Sequence, residues 1–117
     1  MPNCIIPLKA KTLDAIFSGE AHVLPRRVMP KRIMEGERLI FYCDGQLVGC
    51  AVVKARCTPE GANLWAVARG AGMRDWELVD YWAGARVPGY FVLGEARRFA
   101  TPCPWGSKLP LQSFLYV

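Results

Sequence analysis

Long apolar runs are missing from this sequence. The longest unbroken apolar stretches are only a few residues, so no membrane-spanning helix is expected. Met1-Pro2-Asn3-Cys4 has neither a basic n-region nor an apolar h-region, so no secretory leader is expected. CxxC is absent and the five cysteines, Cys4, Cys43, Cys50, Cys57 and Cys103, are odd in number. A disulfide framework or zinc knuckle is therefore not expected, and the cysteines read as buried, reduced thiols of a cytoplasmic protein. There is no P-loop, no GxGxxG fingerprint and no metal-ligand spacing, so no cofactor and no metal are expected. Low-complexity tracts, internal repeats and linkers are absent too, and 117 residues favour a single domain over 1–117.

What is present belongs to a packed, basic chain. Hydrophobic residues make up 52% and charged residues 21%, a balance that excludes a disordered chain. The net charge of +5 and the pI near 9.1 point toward an anionic partner.

Residues 4–8 read as a first strand and 9–18 as a short helix. Leu13, Ile16 and Phe17 share one helical face, and Gly19 is placed to end the helix in the left-handed conformation. Arg38 to Cys43 and Gln46 to Lys54 flank Asp44-Gly45, a strong type I′ hairpin signal. Pairing Cys43 with Gln46 sets Phe41 opposite Val48 and Leu39 opposite Cys50. Cys43 and Cys50 are then too far apart for a disulfide at about 3.3 Å per residue. One face of the hairpin carries Leu39, Phe41, Val48 and Val52; the other carries Ile40, Tyr42, Leu47 and Val53. A ribbon apolar on both sides is covered on both sides, which suits a small barrel with a helix laid against it.

Thr58-Pro59 reads as a helix start leading into Leu64, Trp65 and Val67, and Gly70-Ala71-Gly72 as a helix break. A second helix spans about 74–83, with Leu78, Tyr81 and Trp82 on one face. A strand over 90–99 and a last one over 111–117 complete the order β-α-β-β-β, a helical insertion, then β-β.

The segment 21–34 holds His22, Arg26, Arg27, Lys31 and Arg32 and no acid. Pro25 and Pro30 lack the ladder donor, so this is an edge strand or loop. With Lys9 and Lys11 nearby, the cations form either a phosphate track or a solvated edge kept soluble by charge. The aromatics Trp65, Trp76, Tyr81, Trp82, Tyr90 and Trp105 either stack on bases or pack in the core; Trp65, Tyr81 and Trp82 sit at helical spacing and read as core. Trp105, in a loop between Pro104 and Gly106, is the one expected to line a ligand cleft. Gln112 and Ser113 either contact a base edge or satisfy the barrel backbone. His22 has no nucleophile or orienting acid close in sequence and reads as a surface or hydrogen-bonded group.

Several stretches carry a resemblance in the right order. Ile16-Phe17-Ser18-Gly19-Glu20 with Arg26-Arg27, then Glu37 to Tyr42, Leu47-Val48-Gly49, Leu64-Trp65, Tyr81-Trp82-Ala83-Gly84 and Gln112 to Tyr116 resemble the motifs of ASCH domains, members of the PUA-like barrel group. The resemblance implies an α+β fold: a PUA-like mixed β-barrel of five to six strands with two to three flanking helices. It also implies a cleft between barrel and helices that binds RNA, single-stranded or with a modified base, or a nucleotide-like ligand. Lys9, Lys11, Arg26, Arg27, Lys31, Arg32, Trp105, Gln112 and Ser113 are the expected contacts.

Some small ASCH proteins resemble amidohydrolases acting on an acylated cytidine nucleoside, and nuclease activity has been proposed for others. The lysine and threonine that the amidohydrolase type implies fall here on Ala21 and Leu24. Alanine and leucine neither carry a proton nor attack a carbonyl, and the acid of that site, near Glu77, stands alone. The reading leans away from an enzyme. If the chain acts on RNA or a modified nucleoside, His22, Glu77 and Tyr116 are the catalytic candidates. A third reading is a protein-interaction module whose positive charge meets an acidic partner.

Overall fold

The structure, a computed structural model, describes residues 3–105 and 115–116. Its elements run β1 (Asn3–Pro7), α1 (Ala10–Ser18), β2 (Val23–Arg26), β3 (Arg38–Cys43), β4 (Gln46–Cys57), α2 (Leu64–Gly70), α3 (Asp75–Trp82), β5 (Gly89–Pro104) and β6 (Leu115–Tyr116). This is the expected order. The strands form one six-stranded sheet ordered β2-β5-β4-β3-β1-β6. β1 runs parallel to β3 and every other neighbour pair is antiparallel. The sheet curls into a half barrel with helices beside it, an α+β fold as expected. No helix among the described residues is long and apolar enough to cross a membrane.

The main core lies between the sheet and α1. Cys4, Ile6, Leu39, Phe41, Ala51, Val53, Phe91 and Leu93 from the sheet meet Leu13 and Ile16 of α1. A second cluster, Val23, Val67, Ala68 and Leu78, fastens α2 and α3 to β2. β2 lies at the sheet edge, which tolerates Pro25 because a proline there leaves no ladder donor missing.

The Asp44-Gly45 turn forms as expected, with positive φ at both residues (49° and 81°), the requirement of a type I′ hairpin. The register beyond it differs from the expectation. An irregularity between Phe41 and Tyr42 places Phe41 opposite Gly49 and Leu39 opposite Ala51. Val53 is therefore fully buried in the core and Val52 only partly buried, the reverse of the expected faces.

Gly49 has a use at this point. A Cβ there would overlap the Phe17 ring and lie 2.5 Å from the Arg97 carbonyl oxygen, so glycine lets α1 press Phe17 onto the sheet. Phe17 packs edge-on to Phe41, with ring centroids 5.9 Å apart.

The first inserted helix begins later than Thr58-Pro59 suggests. Its cap is Asn63, whose Oδ1 accepts from the Ala66 amide at 3.2 Å. Pro59 only makes a turn, its carbonyl accepting from the Ala62 amide. Trp65, expected in the core, is 60% exposed. β5 extends to Pro104, five residues beyond the expected Phe99. Of the expected last strand, 115–116 pairs with β1; residues 111–114 and 117 lie outside the described residues.

Candidate functional site

A cleft of about 540 Å³ lies between α1, β2 and α3. On the α1 side it is lined by Lys9, Lys11, Thr12, Ala15 and Ile16. Its floor is Ala21 and the β2 residues Val23, Leu24, Pro25 and Arg26. Ala71, Gly72 and Met73, then Glu77 and Tyr81 of α3, close the far side.

Local chemistry explains each wall. Lys9 precedes α1 at the N-cap position and supplies no side-chain cap, and no acid lies in the first turn. The first amides of a helix have no intrahelical acceptor, and the helix dipole adds partial positive charge there. Lys9 and Lys11 add full charges at the same end, so this wall is prepared for an anion. Glu77 and Tyr81 are four residues apart on α3 and so project from one face. Glu77 is half-buried, and its Oε1 accepts from the Arg74 amide at 3.0 Å. That bond caps the start of α3 and orients the carboxylate.

Two bonds tie the C-terminal end of α3 to the end of β2 and the residue after it. The Trp82 indole Nε1 donates to the Arg26 carbonyl at 3.1 Å, and Arg27 Nη2 donates to the Ala83 carbonyl at 3.3 Å. These fix the width of the cleft. Arg26 is half-buried, and its Nε is a buried donor that no acceptor meets among the described residues. A buried unpaired donor of this kind costs about 1–3 kcal/mol.

The structure divides the expected site residues. Lys9, Lys11, Arg26 and Glu77 meet at the cleft. Arg27 turns to the end of α3. Lys31 and Arg32 are exposed in the turn after Pro30 and do not line the cleft. Arg56 holds that loop, donating to the carbonyls of Pro30 and Ile33. His22 is exposed, its ring packed by Gly70 of α2 rather than in the cleft. Trp105 sits beside the hairpin turn, its amide donating to the Gly45 carbonyl at 2.9 Å, and is not among the described residues that line the cleft. Tyr116 lies opposite Cys4 in the sheet. Gln112 and Ser113 lie outside the described residues.

Two cleft residues were missed as site residues. Tyr81 reads as core from its spacing, yet it is only partly buried and faces the cleft. Thr12 brings a hydroxyl and carries no sequence signal beyond its place one residue after Lys11. The positions that the amidohydrolase resemblance assigns to lysine and threonine are in the cleft floor. Ala21 and Leu24 are buried there at 5% and 3% exposure and present only hydrocarbon.

Lys9 also borders a shallower hollow of about 440 Å³ lined by Tyr42, Cys43 and Asp44. Burial, then the neighbouring Asp44 carboxylate, pushes the Cys43 thiol above its ordinary pKa.

A curled mixed half barrel with helices enclosing a cleft at one side defines the class, and its counterparts among solved structures are ASCH domain proteins. The chain is similar to ASCH from Zymomonas mobilis, with a TM-score of 0.78 and 22% identity over 98% of this chain and 87% of that one. A tyrosine-to-phenylalanine variant and a serine-to-alanine variant of that protein each match with a TM-score of 0.81 and 21% identity. They are covered over 89% and 87% of their lengths, again by 98% of this chain. The chain thus shares the fold of these ASCH structures, as its motifs imply. No protein-family model and no curated protein matches the sequence.

Proposed function

We propose that the cleft binds RNA or a nucleotide, with a phosphate at the start of α1 and a base against α3. One observation carries this reading. Lys9, Lys11 and Arg26 converge from two elements on a single cleft, and the Nε of Arg26 is a buried donor with no acceptor among the described residues. Guanidinium and ammonium groups beside free helix amides suit a phosphate. Tyr81 supplies a ring face for a base, and stacking of that kind is worth about 1–3 kcal/mol. The ASCH resemblance supports the same reading.

Fluorescence anisotropy of a short labelled single-stranded RNA, titrated at several salt concentrations, tests it. Three phosphate contacts predict a slope of log K against log salt of about −2, from roughly −0.7 per contact. A variant with Lys9, Lys11 and Arg26 changed to Ala loses most of that slope while staying folded. Equal binding by the variant would remove the cleft from consideration.

A protein-interaction reading has an observation of its own. Trp65, Trp76 and Val79 stand 60%, 57% and 50% exposed on α2 and α3. Scattered exposed apolar side chains are common, so this is the weaker reading.

A further inference from the structure

The cleft offers an anion site on one side and an acceptor on the other, and the acceptor constrains the base. This step rests on the nucleotide reading above. Glu77 Oε1 is engaged by the Arg74 amide, and no other hydrogen bond or ion pair reaches the carboxylate among the described residues. An ionised carboxylate only accepts hydrogen bonds, and it accepts best from two parallel N–H groups.

The Watson–Crick edges of the bases meet this requirement unequally. Guanine presents N1–H and the N2 amine side by side, which two carboxylate oxygens match. Adenine and cytosine each present one amine next to a ring-nitrogen lone pair, which opposes a carboxylate oxygen. Uracil presents a single N–H between two carbonyls, both repelled. Tyr81, one helical turn beyond Glu77 on the same face, offers its ring to the purine. Arg26, Lys9 and Lys11 remain for the phosphate. The cavity volume of about 540 Å³ lies within the roughly 300–1,000 Å³ range of small-molecule sites.

We propose that the cleft selects guanine nucleotides and that Glu77 is the residue that reads the base. The hydrocarbon at Ala21 and Leu24 shapes the floor without competing for the base's polar edge. Glu77 specifies the ligand through position and acceptor character alone.

Isothermal titration calorimetry with the 5′-monophosphates of guanosine, inosine, adenosine, cytidine and uridine tests this on the unmodified protein. Inosine keeps N1–H and lacks the N2 amine, so it isolates one of the two bonds. A good bidentate pair discriminates by about 1–3 kcal/mol, roughly 5- to 150-fold. Guanosine monophosphate is expected to bind tightest by a factor in that range over adenosine, cytidine and uridine, with inosine between.

Glu77→Gln keeps an amide oxygen for the Arg74 N–H and turns a donor toward the base. It is expected to retain the thermal midpoint and lose the guanine preference. Five equal affinities, or a preference for any base other than guanine, overturn the assignment and leave the cleft reading standing. A guanine preference unchanged in Glu77→Gln overturns the role of Glu77. No binding of any monophosphate at millimolar concentration overturns the nucleotide reading itself.

Discussion

Arg26 holds an unusual place among the cations, half-buried at a cleft wall with a donor that no acceptor meets among the described residues. Its backbone carbonyl, not its side chain, anchors Trp82. Arg26→Ala should therefore spare the fold and weaken RNA binding at least tenfold, with the salt slope shallower by about 0.7. Arg26→Lys should restore little, because an ammonium lacks the planar fork. Lys31→Ala and Arg32→Ala provide the contrast, and an effect there equal to that of Arg26 would count against the cleft.

Thiol chemistry gives a second residue-scale test. Cys103 is exposed, Cys4 and Cys50 are buried, and the Cys43 thiol is held above its ordinary pKa by burial and by Asp44. A raised pKa means less thiolate at a given pH. Cys103 should alkylate first near pH 8, Cys43 later, and Asp44→Asn should speed Cys43. Mass spectrometry of a timed iodoacetamide reaction reads the order. The linkage sign follows from the same shift. The fold favours the neutral thiol, so this stabilisation is present below the ordinary thiol pKa and is lost as pH rises through the raised folded value.

Among the elements, the hairpin was the most legible and also where legibility ended. Asp44-Gly45 encodes its own turn, because positive φ at both central residues is a local demand. The bulge at Phe41/Tyr42 is not local. It comes with a sheet that curls, and further irregularities along β4 and β5 accompany it, including a positive φ of 51° at Glu95. Asn63 beat Thr58 as the helix cap although both residue types cap well, and capping preference alone did not separate them.

Two substitutions test these elements. Gly49→Ala drives a methyl group into Phe17 and the Arg97 carbonyl, and should cost about 1–3 kcal/mol by displacing α1. Denaturant melts measure it, and an unchanged midpoint would show that α1 seats on the sheet some other way. Asn63→Ala should cost about 1 kcal/mol through loss of the cap.

At the scale of the molecule, the motif order was enough for the fold, because each motif marks an element and the elements pack in one way. The site was legible in part. Lys9, Lys11, Arg26 and Glu77 come from three elements far apart in sequence and meet at one cleft. The basic run 26–32 read as one track because sequence proximity suggests a shared surface. In the fold the strand ends at Arg26, Arg27 turns to α3, and Arg56 gathers the following loop elsewhere. Tyr81 reads as core rather than as a stacking ring because helical spacing marks a face without saying whether core or cleft lies opposite.

The most direct measurement is an amide chemical-shift titration of the isotope-labelled protein with guanosine 5′-monophosphate. The largest changes are expected at 9–12, 21–26 and 71–81, with Lys31, Arg32 and Trp65 little moved. Shifts centred on the loop at 31–32, or on the exposed faces of α2 and α3, would contradict it.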